Sequence, residues 1–600
     1  MLSPSFSVLA KHTVMCLLVL NILSCTKDST ESVSNDKTSL MIQSVGVEQQ
    51  QSPELINDPE EEPSSDSPIS TAMASQKKTN TIQAHANLPK LAGEMVYSEE
   101  FDALVEMKSF KNLDSSAVAL SQERNSLNKT MDKVAADVPI SSDIKFRLLI
   151  YAAGNQTSPL VNVVLSRGES PAILLDGGKN YNWFAYSTNE ANVGDINSTG
   201  IISKVALENK DFMFASGNLT LTSGQNYLNI IFKRQMAAVN VDVDTRGLFG
   251  TLVNNSSISL GSGSTNTTFN AFIQSADFNI FNASFSNFTT VIPSINASAM
   301  RVVDARWGNA EKIGTFYSAE NPASPRTVAA NQLKVRLNTF SITMDDNSTR
   351  TFSNNKILPI PHAVTLALTR GKLSRANVRL IESAVTIGRL RWARTNLIYD
   401  ESKLYGAPMY LSGQSDAYRF RPSNNYTTPA ANEYWHHTTS IPTGTDYFIT
   451  DQCSRVYPQG VWTTPNYFDE TGYPFHFNNL ISVSYTTRRR TINGQTQYII
   501  AWNVPTNQRN AAYPDPNEFI LPMFGTRSTT TGEITGLPTS STSAAQLHYW
   551  SQARTGTGNP KMGLYLKATG NQGATAGVTG LQQVEDAYNI GKPVRCIRNI

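Results

Sequence analysis

The chain is poor in the residues that carry out chemistry. Its 600 residues include four cysteines and seven histidines, and the H-E-x-x-H, C-x-x-C, G-x-S-x-G and Walker patterns are all missing. Those absences exclude the zinc-hydrolase, dithiol, serine-hydrolase and phosphate-loop chemistries that the patterns encode. His436 and His437 are adjacent, and neighbours on a strand point to opposite faces, so they cannot readily hold one ion together. Asp242 and Asp244 share one strand face; set among valines near Arg246, they read as a solvated face rather than an acid pair. Charged residues make up 16% of the chain and leave a formal net charge of +2, too balanced for a surface that neutralises phosphates. Arg488-Arg489-Arg490 is the densest basic cluster and reads as a solvated strand or loop, so nucleic acid is not an expected partner. No run approaches the ~20 apolar residues of a spanning helix, and amphipathic helical patterns are scarce. The chain reads as a non-enzyme without cofactor or metal.

What is present begins at the amino end. Lys11 and His12 precede an apolar stretch from Thr13 to Leu23, too short for a permanent membrane helix and suited to a secretory h-region. It closes on Ile22-Leu23-Ser24-Cys25, which resembles the bacterial lipobox; the competing reading is a chance cysteine in an ordinary signal peptide. The resemblance implies a diacylglyceryl thioether on Cys25, cleavage before it and acylation of the new amine. Polar Thr26-Lys27-Asp28 then suits a tether leaving a membrane. With Cys16 lost in the leader and Cys25 lipidated, Cys453 and Cys596 remain, and two thiols in an oxidising compartment can pair.

Residues 26–95 are rich in Ser, Thr, Asp, Glu and Gln, as in "NDPEEEPSSDSP" at 57–68. Such a stretch has too little apolar surface to offset its chain entropy and reads as a disordered stalk. From about residue 96 the pattern turns to short alternating runs between Gly, Asn, Ser and Asp. "KFRLLIYAAGN" (145–155) and "NYLNIIFKRQMAAVNVDVDTRG" (226–247) are the clearest, the second alternating at Leu228, Ile230 and Phe232 and again at Ala237, Val239, Val241 and Val243. Period two with β-branched residues predicts half-buried antiparallel strands, so the chain is expected to be mainly β. The sequons at Asn197, Asn218, Asn282 and Asn296 read as polar surface, because the lipobox points to a bacterium.

A lipobox, a polar stalk and then β segments in this order resemble the fimbrillin family of Bacteroidales type V fimbriae. "LLIYAAGN" (148–155), "LLDGGKNYNWFAYSTNE" (174–190), "KDFMFASG" (210–217) and "IIFKRQMAAVNVDV" (230–243) carry the likeness. The resemblance implies two tandem antiparallel β-sandwich, transthyretin-like domains. In the last third, Asp451, Cys453, Ser454, Val456, Tyr457, Pro458, Gly460, Trp462 and Pro465, with Pro593-Val594-Arg595-Cys596, resemble the loop-rich, lectin-like carboxyl-terminal domains of surface and fimbrial tip proteins in the same phylum. Trp435, Tyr457, Trp462, Tyr549 and Trp550 supply large areas there, each read as core ahead of sugar contact. The E-P-N and W-N-D triplets of calcium-dependent lectins are missing, and Gly558-Asn559-Pro560 is a poor substitute.

The expected organisation is therefore a leader (1–24), lipidated Cys25 with its stalk (25–95), two fimbrillin-like β domains (96–247 and 248–385) and a lectin-like tip domain (386–600). The resemblance implies a fimbrial accessory or tip subunit at the cell surface, reached through an outer-membrane lipid-anchored precursor. Its partners would be other fimbrial subunits, joined by donor-strand addition, and a host or bacterial surface protein or glycan. It further implies cleavage by an arginine-specific protease ahead of the 145–155 strand. Arg124 in "SQERNSLNK" is the first arginine in the chain and the expected site, with "EEFDALVEMKSF" (99–110) as the strand removed; Arg147 competes but lies inside a strand. The bland reading of Arg124 is an ordinary loop residue on a protein that stays lipid-bound.

Overall fold

The computed structural model describes residues 37–48, 93–98, 100–108, 138–139, 141–404, 416–442, 444, 451–465, 477, 480, 482–513, 515–537, 544–554, 562–570 and 578–598. Strands dominate and most ladders are antiparallel, as the period-two runs predict. Among the described residues no helix is long and apolar enough to cross a membrane.

The first strand among the described residues, β1 (Lys37–Val47), lies inside the stretch read as a disordered stalk, which corrects that expectation for these residues. Leu40, Ile42, Val45 and Val47 are buried and give the segment an apolar face despite its polar neighbours. The next long strand, β2 (Phe101–Lys108), belongs to another sheet. Around β1 the chain adds β3 (Lys145–Ala152), β4 (Val161–Ser166), β5 (Ile173–Asp176), β6 (Asn180–Ser187), β7 (Met213–Thr220) and β8 (Gln225–Arg234). The ladder runs β4-β3-β6-β7-β8-β1, with β5 also paired to β1. Only Met213–Arg234 and Phe214–Lys233 join β7 to β8. Beyond that corner the sheet closes over itself: Phe146, Leu148 and Ile150 of β3 meet Leu228, Ile230 and Phe232 of β8 in one core, with Phe146 edge-on to Phe232 at 5.9 Å. The predicted alternation of β8 is thus observed. β6 is apolar on both faces because a second core, holding Phe184 and Tyr186 with Phe212 and Phe278, covers its other side.

The second sandwich is built on β9 (Met236–Gly247), which follows β8 after a single residue. Its neighbours are β13 (Glu311–Ala319), antiparallel, and β15 (Leu373–Glu382), parallel; β2 pairs with the far edge of β15. The facing sheet contains β10 (Ser257–Ser262) and β14 (Leu333–Met344). Ahead of β13, β11 (Ile273–Asn279) and β12 (Ser284–Val291) form a separate hairpin against the first sandwich. Hydrogen bonding therefore divides the chain before β9, not at 247/248, and places β2 with the second unit instead of the first. A strand's partner sheet is a non-local choice, which alternation in its own sequence does not encode.

Past residue 384 the elements are shorter. β16 (Thr486–Ile492), β17 (Gln495–Asn503) and β18 (Glu518–Pro522) form one sheet; β19 (Ala545–Arg554), β20 (Met562–Gly570) and β21 (Val578–Ala587) form another. A small four-stranded sheet joins Leu390–Trp392 and Trp462–Thr463 to the last strand, Ile597–Arg598. One hydrophobic core runs without a break from Phe101, Val241 and Val378 in the second sandwich to Trp435, Trp462 and Cys596 in this region. The two are seated on each other by shared burial rather than strung on a linker.

Candidate functional site

Three features stand out: the slot occupied by β1, the slot occupied by β2, and an arginine clasp between the second sandwich and the carboxyl-terminal region.

β1 lies between two strands. From Ser39 to Val47 it runs parallel to β8, with one irregularity between Ile42 and Ser44, while Lys37–Leu40 pair antiparallel with β5 and Gly46–Val47 with Val138–Pro139. Its four apolar side chains enter the first core, and each is worth about 1.5–3 kcal/mol when fully buried. A strand so placed, supplied from ahead of residue 49, fills a gap that the rest of the sandwich leaves open.

β2 is held as firmly. Eight consecutive residues pair with β15, and Phe101, Ala103, Leu104 and Val105 are buried. Asp102, fully buried, accepts from Arg598 Nη2 at 2.5 Å and from Arg391 Nη2 at 3.2 Å. Arg598 lies over the ring of Trp462 at 4.0 Å and also donates to the Glu382 carbonyl. Glu100 accepts from the backbone N–H and hydroxyl of Ser353. The strand expected to be removable thus carries the counter-charge for the last strand of the chain.

The clasp grows from the end of β9. Asp242, Asp244 and Arg246 are all buried, which overturns the solvated-face reading of the two aspartates. The Arg246 guanidinium lies 3.9 Å from the ring centres of both Trp307 and Tyr457 and donates to both oxygens of Asp416. Asp244 accepts from the Arg246 backbone N–H and the Tyr457 hydroxyl; Asp242 accepts from Arg375. Phe249 meets Phe420 edge-on at 5.3 Å, and Arg419 reaches the Phe249 carbonyl and Asp345. Tyr457 and Asp416 come from beyond residue 384, so this ion network is the polar half of the junction. No sequence spacing links Arg246 to Asp416; the nearest signal was three charges within five residues.

Cys453 and Cys596 form a disulfide, with Cα atoms 5.7 Å apart and both side chains buried. Trp435, Trp462, Tyr549 and Trp550 are buried and act as core, not as sugar platforms. His436 and His437 contact different carbonyls, those of Gly444 and Ser551, and are not brought together on one ion. Glu433, Asn396 and Arg595, all fully buried, form a continuous network with Arg421 and Tyr549 that ties the loops of this region. Asn197, Asn218, Asn282 and Asn296 are exposed, as read from sequence. Arg147 is largely covered and paired with Asp195. Cys25, Arg124 and Gly558-Asn559-Pro560 lie outside the described residues. A hollow of about 530 Å³ opens at the seam of the first two units, lined by Gln156, Thr157, Ser198, Thr199, Asn282 and the ring of Phe281. Among the described residues no three His, Cys, Asp or Glu side chains are grouped to hold a metal.

No protein-family model and no curated protein matches the chain. Similar solved structures include a candidate cell adhesion protein from Bacteroides fragilis, 12% identical over 58% of this chain and 99% of that one, with a TM-score of 0.29. Others are candidate polysaccharide binding proteins from Bacteroides thetaiotaomicron (11% identity, 36% and 74% of the two chains, TM-score 0.21) and the fimbrial anchor protein Mfa2 from Porphyromonas gingivalis (14%, 38% and 79%, TM-score 0.19). Superpositions this loose carry no argument about what the present chain does.

Proposed function

We propose that the chain is a structural accessory or tip subunit of a cell-surface fimbrium. In this reading it is exported as a lipoprotein through Cys25, joins its neighbours by strand addition and presents residues 386–600 for adhesion to a surface protein or glycan. The observation that carries the reading is the β1 slot. A segment from ahead of residue 49 completes a sandwich whose other described strands come from after residue 137, so a strand from another subunit can take the same place. Such a donor must run parallel to β8 and present apolar residues where Leu40, Ile42, Val45 and Val47 now stand. Cleavage after Arg124 would cut the covalent link between this segment and the body. N-terminal sequencing of filament-associated protein tests the scheme: a start at Asn125 supports it, and an acylated Cys25 still continuous with the body in assembled filaments overturns it.

The polar hollow beside Phe281 favours a second reading, a surface lipoprotein that captures glycans, with sugar seated there rather than on the buried aromatics beyond residue 386. Immunogold labelling of intact cells separates the two, on filaments for the first and along the membrane for the second.

A further inference from the structure

On the polar face of the second sandwich two buried carboxyl oxygens lack a donor, although Nε of Arg375 nearby is also without a partner among the described residues. Across the sheet, Glu311 of β13 stands opposite Asp244 of β9, which stands opposite Arg379 of β15. In the next row, Ile313, Asp242 and Asn377 lie side by side, with Glu106 of β2 beyond. Like charges directly opposed on neighbouring strands repel, so this pairing demands a compensating group. Asp244 has its donors in Arg246 and Tyr457, and one oxygen of Asp242 has Arg375. The other oxygen of Asp242 and Oε2 of Glu311 are buried and have no donor among the described residues. Asn377 supplies none, because its amide N–H groups face Glu106 and its own oxygen is also without a donor. Glu311 and Asp242 are diagonal neighbours on the paired strands β13 and β9, near enough for their side chains to interact. Two neighbouring acceptor oxygens can both be satisfied by one proton between them, and burial makes leaving them unsatisfied costly.

We propose that Glu311 and Asp242 share one proton, and that its presence sets how tightly the carboxyl-terminal region is held to the second sandwich.

A cation is the other way to settle such a site. It fits less well, because Arg246, Arg375 and Arg379 already surround the carboxyls and no metal-holding group of three is formed among the described residues. The groups that act on Glu311 are Asp242, Asp244 and Arg246 from β9 and Arg375 from β15. Arg301, on the short strand Arg301–Val302 paired to the other edge of β13, and Arg379 and Glu106 farther across the sheet are the remaining charges of this face, with Tyr457 and Asp416 arriving from the carboxyl-terminal region. Burial, and then the charges of Asp244 and Asp242, push the Glu311 carboxyl up to about 8. Burial likewise pushes Asp244 up to about 6.

The sign of the pH dependence follows. Below the ordinary carboxylate range both folded and unfolded chains hold the proton, and the group contributes no difference. As pH rises from there to about 8, the unfolded chain has released the proton while the folded protein must keep it or bury a third negative charge, so stability falls. Ionised Glu311 also repels Asp244, which anchors Tyr457, and competes with Asp416 for Arg246. The junction is therefore tightest in mildly acidic solution and loosest in alkaline solution.

Thermal unfolding of the full chain between pH 5 and 9 tests this, comparing wild type with Glu311→Gln and with Glu106→Gln as a control on the same face. The expected result is a wild-type Tm that declines with pH by on the order of a few degrees more than that of Glu311→Gln, with the glutamine variant the more stable above pH 8. Infrared spectra at neutral pH should show a protonated carboxyl band in wild type that Glu311→Gln lacks, a readout independent of stability. Parallel pH profiles for wild type and Glu311→Gln, or no such band, overturn the proposal. So does a Tm at neutral pH that drops when a chelator is added, since that would assign the gap to a metal.

Discussion

Arg246 and Asp416, 170 positions apart, form a bidentate ion pair inside the protein, with Nε–O distances of 2.9 and 3.1 Å and an Nη2–O distance of 2.7 Å. A guanidinium held edge-on by a carboxylate and face-on by two aromatic rings uses every recognition mode the side chain has. Replacing it with Ala strands buried Asp416 and Asp244 without their cation and should cost about 3–5 kcal/mol. Arg246→Lys keeps the charge but loses the fork and the stacking, and should recover only part of that. Urea unfolding of both variants, with an Arg246→Ala/Asp416→Ala cycle, measures the coupling; additive effects would show that the pair is not a clasp.

Asp102 should behave as a pin between the early chain and the last strand. Asp102→Asn removes the charge that faces Arg598 and Arg391. Arg598 Nε and Nη1 already lack partners among the described residues, so its buried charge then has little left to compensate it. Hydrogen exchange should rise at residues 594–598, far along the sequence from the substitution. Exchange that changes only around residue 102 would contradict the pin.

The Cys453–Cys596 bond closes a loop with a sequence separation of 143, for which the chain-entropy model gives about 5 kcal/mol, an upper figure. Peptide mapping without reduction should recover the linked pair. The double variant Cys453→Ala/Cys596→Ala should unfold at lower temperature, and because these residues pack in the core shared with the second sandwich, the loss should not be confined to residues beyond 384.

Both slots are filled by segments that precede Arg124. Digestion of the purified full chain with an arginine-specific protease should cut at Arg124 in preference to Arg147, which is in a strand and paired. The fragment carrying β1 and β2 should then stay with the body on gel filtration and separate only in denaturant, because each strand keeps its ladder. A fragment that leaves at once in native buffer would mean that the slots empty freely.

Much of this fold was legible from alternation alone. β3, β8 and β9 stand where the runs at 145–152 and 226–247 put them, since half-burial writes itself into every second residue. β1 was not read, although "SLMIQSVGV" has apolar residues at Leu40, Ile42, Val45 and Val47; the irregularity near Gln43 breaks its period, and the acidic residues around it mask its composition. Asp242 and Asp244 are buried, against the solvated-face reading, because their donors Arg375 and Tyr457 are brought in by the fold from outside any local window, while the one local cation, Arg246, is in plain view. The disulfide partners could be reached by counting cysteines; the Asp102–Arg598 pair, 496 positions apart, could not.

The parallel pairing of β1 with β8 fixes how tension would travel through the molecule. A pull on the chain ahead of Lys37 draws β1 along its axis toward its amino end, while the body resists through β8, which leaves toward β9 from its opposite end. The strands must then slide past each other, so the hydrogen bonds from Ser39 to Val47 bear load together instead of opening one at a time like a zip. Under any load applied between those two ends, that arrangement resists rupture without any additional contact.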